Sequence, residues 1–119
     1  MSLAANLVIG LIALLHVWFL ILEMFLWTRP LGRRTFGTTA DFADQSRTLA
    51  ANQGLYNGFL AAGLAWSLLL SGAEALHVKC FFLGCVLLAG IYGGLTAARR
   101  ILWFQALPAA VGLALVLLG

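Results

Sequence analysis

The chain has few charged residues. They make up 9% of its 119 residues, against about 25% in ordinary soluble domains. A soluble protein of this size must cover most of its surface with polar side chains, and this sequence has too few of them. The shortage excludes a cytosolic globular enzyme, a nucleic-acid binder and a disordered regulator. Hydrophobic residues make up 63% of the chain and the mean hydropathy is +1.02, which indicates that lipid is the solvent for most of the surface.

Cysteine is also scarce. Cys80 and Cys85 are the only two cysteines, and they lie five residues apart in one apolar run. On a helix this spacing places them about 140° apart around the axis, so they do not face each other. The spacing also fits no metal motif. We therefore expect two small buried apolar side chains, no metal site and no cofactor.

Four apolar runs are long enough, or nearly so, to cross the hydrocarbon core of a bilayer. We predict membrane spans at about 3–27, 49–71, 78–98 and 101–118, with a loop at 28–48. The first run is too long for the core of a signal peptide and has no basic residue before it, so we expect it to stay in the protein. The predicted fold class is an all-α polytopic membrane protein. Residues 1–119 form one domain, a bundle of four transmembrane helices.

The basic residues are distributed unevenly over the connecting segments. The first and third loops, at 28–48 and 99–100, lie on one side of a four-span protein, and a single lysine lies beside the second loop. The arginines of the first and third loops are Arg29, Arg33, Arg34, Arg47, Arg99 and Arg100. The positive-inside rule places both of these loops in the cytoplasm and both termini outside. The predicted location is the bacterial cytoplasmic (inner) membrane.

Two local patterns predict structure inside the first loop. Arg29-Pro30 ends the first helix. The segment Thr38-Thr39-Ala40-Asp41 is similar to a capping box, with Asp41 in place of the usual glutamate, and it predicts a helix that begins near Thr39.

Small residues recur at a spacing of four inside two spans. Gly54 and Gly58 open the second span, and Gly90 and Gly94 lie in the third. This spacing lets helix backbones approach closely in lipid. We interpret it as packing within the bundle, with a homo-oligomer interface as the alternative.

Two ionisable residues of the first span need an explanation, because polar groups in lipid are costly. Glu23 follows His16 by seven residues, on the same helix face. Either Glu23 pairs with an arginine (Arg47, Arg99 or Arg100) and fixes helix packing, or it is a carboxylate that binds a proton or a ligand. His16 is either a hydrogen-bonded interior histidine or a site residue that takes up and releases a proton.

More polar residues open the second span, at about the depth of Glu23. They either link helices or line a small polar chamber. We predict a pocket that opens to the cytoplasmic leaflet, with lining residues His16, Glu23, Asn52, Gln53, Tyr56, Asn57, Tyr92 and Gln105. Asn6, Trp66 and Ser67 lie nearer the outer face and are weaker candidates. The outer half of the predicted bundle is otherwise almost purely aliphatic. We therefore expect no continuous water pore, because no ring of polar residues spans both leaflets.

Three stretches of this sequence resemble a family of small bacterial and fungal four-helix membrane proteins known as domain of unknown function 1304. They are His16 with Glu23-Met24-Phe25-Leu26-Trp27, the segment from Ala51 to Leu64 that contains Asn52-Gln53-Gly54-Leu55-Tyr56-Asn57-Gly58, and Gly90-Ile91-Tyr92-Gly93. The segment Asn52–Gly58 is the specific part of the resemblance. The resemblance implies an inner-membrane protein and implies no chemistry and no site residues.

Three classes of function fit these patterns. The first is binding or transport of a small lipophilic molecule, for example a lipophilic cation at Glu23 and aromatic side chains. The second is a structural or accessory membrane subunit. The third is a membrane enzyme that acts on a lipid-soluble substrate; it is the least favoured, because no nucleophile motif, metal set or phosphate loop is present. The expected partners are the lipid bilayer, a small lipophilic ligand and further copies of the chain, and nucleic acid is excluded.

Overall fold

The computed structural model describes residues 2–119, and every regular element in that range is helical. The chain runs in the order α1 (Leu3–Met24), α2 (Pro30–Phe36), α3 (Ala40–Gln45), α4 (Arg47–Leu68), α5 (Gly72–Thr96), a π-helix (Leu102–Ala106) and α6 (Leu107–Leu118). The all-α prediction is therefore confirmed.

Two of these helices have the length and the composition of membrane spans. Over its most apolar 18 residues, Leu3–Met24 has a mean hydropathy of 2.4 and Gly72–Thr96 one of 1.9. The apolar helix Leu102–Leu118 is shorter, and α4 does not qualify although it is 22 residues long. Polar residues at the start of α4, among them Asn52, Gln53 and Asn57, explain its lower hydropathy. Four membrane spans therefore remain a prediction, and two are supported by length and hydropathy.

Several element boundaries differ from those expected from hydropathy. Helix α1 ends at Met24, before Trp27, and α5 begins at Gly72, six residues earlier than predicted. Pro30 does not simply follow a helix end: it occupies the first turn of α2, where its missing N–H costs nothing. The helix predicted near Thr39 is confirmed, since the Thr39 side chain caps α3 by accepting a hydrogen bond of 3.1 Å from the Phe42 N–H.

The described chain groups into two compact units, residues 2–14 with 60–119 and residues 15–59. The first unit has an apolar core to which α1, α4, α5 and α6 each contribute. Its buried members are Ala5, Ile9, Ile12, Leu64, Leu83, Val86, Ala109 and Val116. Cys80 and Cys85 belong to this unit as free thiols, and they are half-buried rather than buried.

The second unit ties the connecting helices α2 and α3 to the end of α1 through Trp27. The Trp27 indole Nε1 donates a hydrogen bond of 3.0 Å to Ser46 Oγ, and its ring lies 5.0 Å from that of Phe36. Gly32 lies directly against the backbone carbonyl of Leu26, so no larger residue fits there without movement. The predicted loop 28–48 is therefore a folded segment with defined packing.

The glycines of both predicted close-packing motifs are used inside the chain. In the second unit a Cβ on Gly54 would lie 3.2 Å from the carbonyl oxygen of Leu20 in α1, and one on Gly58 would lie 2.6 Å from the Leu20 side chain. In the first unit Gly90 packs against the backbone of Ala106 and Gly94 against Leu102. This confirms the interpretation as packing within the chain, and an oligomer stays a prediction.

Candidate functional site

Glu23 and Asn57 form the centre of the candidate site, in the second unit. Glu23 lies in the last turn of α1, and Asn57 lies in the part of α4 that belongs to the same unit. Asn57 Nδ2 donates a hydrogen bond of 2.5 Å to Glu23 Oε1, and both side chains are half-buried. The two residues that the sequence placed at similar depth are thus directly paired.

The close approach of α1 and α4 at this point depends on Gly54. A Cβ on Gly54 would lie 2.7 Å from Met24 Cγ and 3.1 Å from Glu23 Cβ. Gly54 is one turn before Asn57, so its missing side chain lets the Asn57 amide reach the carboxylate. Two residues of the specific segment Asn52–Gly58, namely Gly54 and Asn57, therefore contact Glu23.

The partner of Glu23 differs from the arginine that one of the two interpretations required. In the described chain, Glu23 accepts a hydrogen bond from the neutral amide of Asn57. An amide supplies a hydrogen bond to the carboxylate and supplies no charge. The packing interpretation and the interpretation of Glu23 as a carboxylate that binds a proton or a ligand both stay predictions.

His16 belongs to the same unit and is fully buried, with 0% of its surface exposed. Its ring lies 5.2 Å from that of Phe19, edge to face. Seven residues separate it from Glu23, which corresponds to about 10 Å along the helix axis. His16 is thus an interior histidine in the apolar part of α1.

The other predicted lining residues are more open. Asn52, Gln53 and Tyr56 are exposed, and the Tyr56 ring lies 6.1 Å from that of Phe59. Tyr92, which is 73% exposed, and the half-buried Gln105 belong to the first unit. Among the eight predicted site residues, the structure shows direct pairing for Glu23 and Asn57.

The first unit contains a buried charged residue that is not among the predicted site residues. Lys79 is 2% exposed, and its Nζ donates a hydrogen bond of 2.9 Å to Asn6 Oδ1. The predicted third span begins one residue before Lys79, but α5 begins at Gly72, so Lys79 lies about two turns inside the helix. The spacing in the sequence indicates this burial, because Lys79 is four residues from Ala75 and four from Leu83, and both lie on the buried face of α5.

A groove with a volume of about 320 Å³ lies at the end of α5 in the first unit. It is lined by 94–99 and Leu102. None of the eight predicted site residues lines this groove. No group of three or more potential metal ligands occurs in the described residues.

The described chain is all-helical, and two of its helices are apolar enough to span a membrane. Its candidate site is the Glu23–Asn57 contact. Residues 10–117 match the family model described as a protein of unknown function, DUF1304. The chain belongs to this family, and the resemblance noted in the sequence is confirmed.

The chain is also similar to a curated bacterial protein. The chain is 31% identical over 97 residues to the uncharacterized protein YpaA of Lactococcus lactis subsp. lactis (strain IL1403). The match covers 80% of this chain and 81% of the relative. No solved structure matches the chain.

Proposed function

We propose that this protein is an integral membrane protein that binds or carries a small lipophilic cation, with Glu23 as the binding carboxylate. The observation that supports this most directly is the neutral partner of Glu23, the amide of Asn57. The proposal has two parts, the membrane location and the role of the carboxylate.

The exposed surface supports the membrane location. Only 28% of the most apolar 18-residue stretch of α1 is buried inside the protein, and the same holds for α5. The core helix of a soluble protein, in contrast, is mostly buried. Large apolar side chains such as Leu7, Leu11 and Leu14 on α1 are between 59% and 68% exposed. Soluble monomers rarely expose apolar patches on this scale, because water disfavours them. A lipid environment removes that cost.

The arginines support a multi-pass arrangement with cytoplasmic loops at 28–48 and 99–100. Lys79, the single lysine of the chain, is buried inside α5 and lies in neither of these loops. All six arginines of the chain then lie in these two segments. This asymmetry favours placing both segments on the cytoplasmic side of the bacterial inner membrane.

The chemistry of Glu23 supports cation binding. A carboxylate that is partly removed from water needs a compensating positive charge or a proton. The Asn57 amide supplies neither, although it orients one carboxylate oxygen. A cation with an apolar body meets both requirements, since its charge pairs with Glu23 and its body suits the surrounding lipid and side chains.

Binding of tetraphenylphosphonium to the purified protein in detergent tests this role. We expect Glu23→Gln to weaken binding at least about 10-fold, which corresponds to roughly 1.4 kcal/mol for one ion pair. The variant keeps the shape of the side chain and removes its charge. Glu74→Gln is the matched control, because Glu74 is exposed in the first turn of α5 and should leave binding unchanged.

Reconstituted liposomes separate binding from transport. If the protein carries the cation, wild-type vesicles take up tetraphenylphosphonium faster than Glu23→Gln vesicles. Equal affinity of the wild type and the Glu23→Gln variant in detergent would contradict the proposed role of Glu23.

A further inference from the structure

The groove at the end of α5 lies where the chain turns into the π-helix, and all of its lining belongs to the first unit. Gly94 is buried there and packs against Leu102, so a side chain at position 94 would displace Leu102. The volume of about 320 Å³ is at the lower end of the range of about 300–1,000 Å³ for small-molecule sites. A groove of this size suits a small polar group rather than a whole lipid.

Arg99 is the charged residue of the groove lining. It is exposed, and a guanidinium offers a planar fork of N–H donors that matches the oxygens of a phosphate group. Thr96 carries the other polar side chain of the lining, and its hydroxyl donates a hydrogen bond of 2.7 Å to the carbonyl oxygen of Tyr92. Arg99 is therefore the side chain of this lining that suits an anion.

The carboxylates of the first unit lie far from Arg99. Residues 2–14 and 60–119 contain one acidic side chain, Glu74, and the C-terminal carboxylate of Gly119. Glu74 is in the first turn of α5, about 33 Å from the end of this helix. Gly119 lies near Ser2, at the end of α6 that is opposite the π-helix. Within this unit, the end that carries the groove is thus positively charged.

The backbone at the end of α5 also faces the groove. The N–H groups of Ala97 and Ala98 both donate to the carbonyl oxygen of Gly93, at 2.8 and 3.1 Å. The helix ends there, so the carbonyl oxygens of residues 94–96 lie past its last N–H donor. These three residues line the groove. A ligand that carries hydroxyl groups next to its phosphate can donate hydrogen bonds to them.

Apolar and aromatic side chains surround this polar groove. Leu95 in its lining is exposed, and so is Trp103, which follows Leu102 in the chain. Tryptophan is typical of the layer where lipid headgroups meet the hydrocarbon core. The proposed cytoplasmic position of residues 99–100 places the groove at the depth of the headgroups.

We infer that this groove binds the headgroup of an anionic phospholipid that carries hydroxyl groups, such as phosphatidylglycerol. Arg99 pairs with the phosphate, and the glycerol hydroxyls donate to the carbonyl oxygens at the end of α5. The acyl chains lie outside the groove, along exposed apolar side chains such as Leu95. The inference rests on the membrane location proposed above and does not depend on the role of Glu23.

Native mass spectrometry of the purified protein in detergent, with dioleoylphosphatidylglycerol added, tests the inference. We expect Arg99→Gln to weaken binding of this lipid at least about 10-fold, because the charged contact with the phosphate is lost. Arg34→Gln is the matched control: it removes an exposed arginine of the second unit and should leave the affinity within about twofold of that of the wild type. Dioleoylphosphatidylcholine has the same acyl chains and no net charge, and we expect it to bind the wild type at least about 10-fold more weakly.

Ala98→Phe tests the groove separately from the charge. Ala98 lines the groove and is half-buried, so phenylalanine takes up part of the groove volume while Arg99 stays in place. We expect this variant to weaken binding of dioleoylphosphatidylglycerol at least about 10-fold as well.

Three results would overturn the inference. The first is equal affinity of the wild type for the two lipids. The second is an Arg99→Gln or Ala98→Phe protein that binds dioleoylphosphatidylglycerol as tightly as Arg34→Gln does. The third is binding of free glycerol 3-phosphate as tight as that of the lipid, which would indicate a site for a soluble phosphate. A protein that alkaline carbonate removes from membranes would instead contradict the membrane location. Equal tetraphenylphosphonium binding by the wild type and Glu23→Gln would contradict only the role of Glu23.

Discussion

Gly90→Leu is expected to lower the free energy of unfolding by more than about 3 kcal/mol, the largest stability effect we predict for a single substitution. A Cβ at position 90 would lie 2.6 Å from the backbone nitrogen of Ala106 and 2.8 Å from its Cα. Backbone atoms cannot rotate away as a flexible side chain can. The π-helix that carries Ala106 must therefore move away from α5. Thermal unfolding of the purified protein, followed by circular dichroism, measures the effect.

Gly84→Ala is the matched control for this substitution. Gly84 lies in the same helix, and nothing lies within 4 Å of a Cβ built on it. Alanine has the higher helix propensity, so we expect a change of at most about 1 kcal/mol, in the stabilising direction. Equal unfolding midpoints for Gly90→Leu and the wild type would show that α5 and the π-helix do not pack as described.

Gly54→Leu is expected to reduce tetraphenylphosphonium binding by more than about 10-fold, a loss as large as that for Glu23→Gln. Any side chain at position 54 meets Met24, Glu23 and the backbone oxygen of Leu20. Because these atoms lie in the last turns of α1, leucine forces α4 away from Glu23. The hydrogen bond from Asn57 to the carboxylate is then lost.

Gly58→Ala separates this effect from a general loss of helix packing. A Cβ at position 58 meets only the side chain of Leu20, whose tip can rotate. We expect the binding affinity to stay within about twofold of that of the wild type, since rotating the Leu20 side chain costs little free energy. A Gly54→Leu protein that folds and binds the probe as well as Gly58→Ala would rule out the role given to the α1–α4 contact.

Hydropathy and local patterns predict much of this fold. The long apolar runs give α1 and α5, the threonine cap gives the start of α3, and the glycine spacings give the close contacts. The boundaries are harder to predict, because apolar side chains continue past the ends of helices. Trp27 is an example: it extends the first apolar run, but it lies beyond α1 and binds Ser46.

The candidate site is predictable only in part, for a related reason. The shared depth of Glu23 and Asn57 is a prediction from counting residues along each span, and in the structure the two side chains are hydrogen-bonded to each other. Which partner the carboxylate takes depends on how two helices are rotated about their axes, and composition does not determine this. Lys79 is the second residue of the predicted third span, whereas α5 begins at Gly72 and buries it on the face that carries Ala75 and Leu83.

Extraction of cell membranes with alkaline carbonate tests most directly whether this surface faces lipid. Carbonate removes peripheral and soluble proteins and leaves those that are embedded in the hydrocarbon core. We predict that the full chain stays in the membrane pellet and enters solution only when detergent is added. Recovery of a monodisperse protein from the aqueous fraction without detergent would contradict the account.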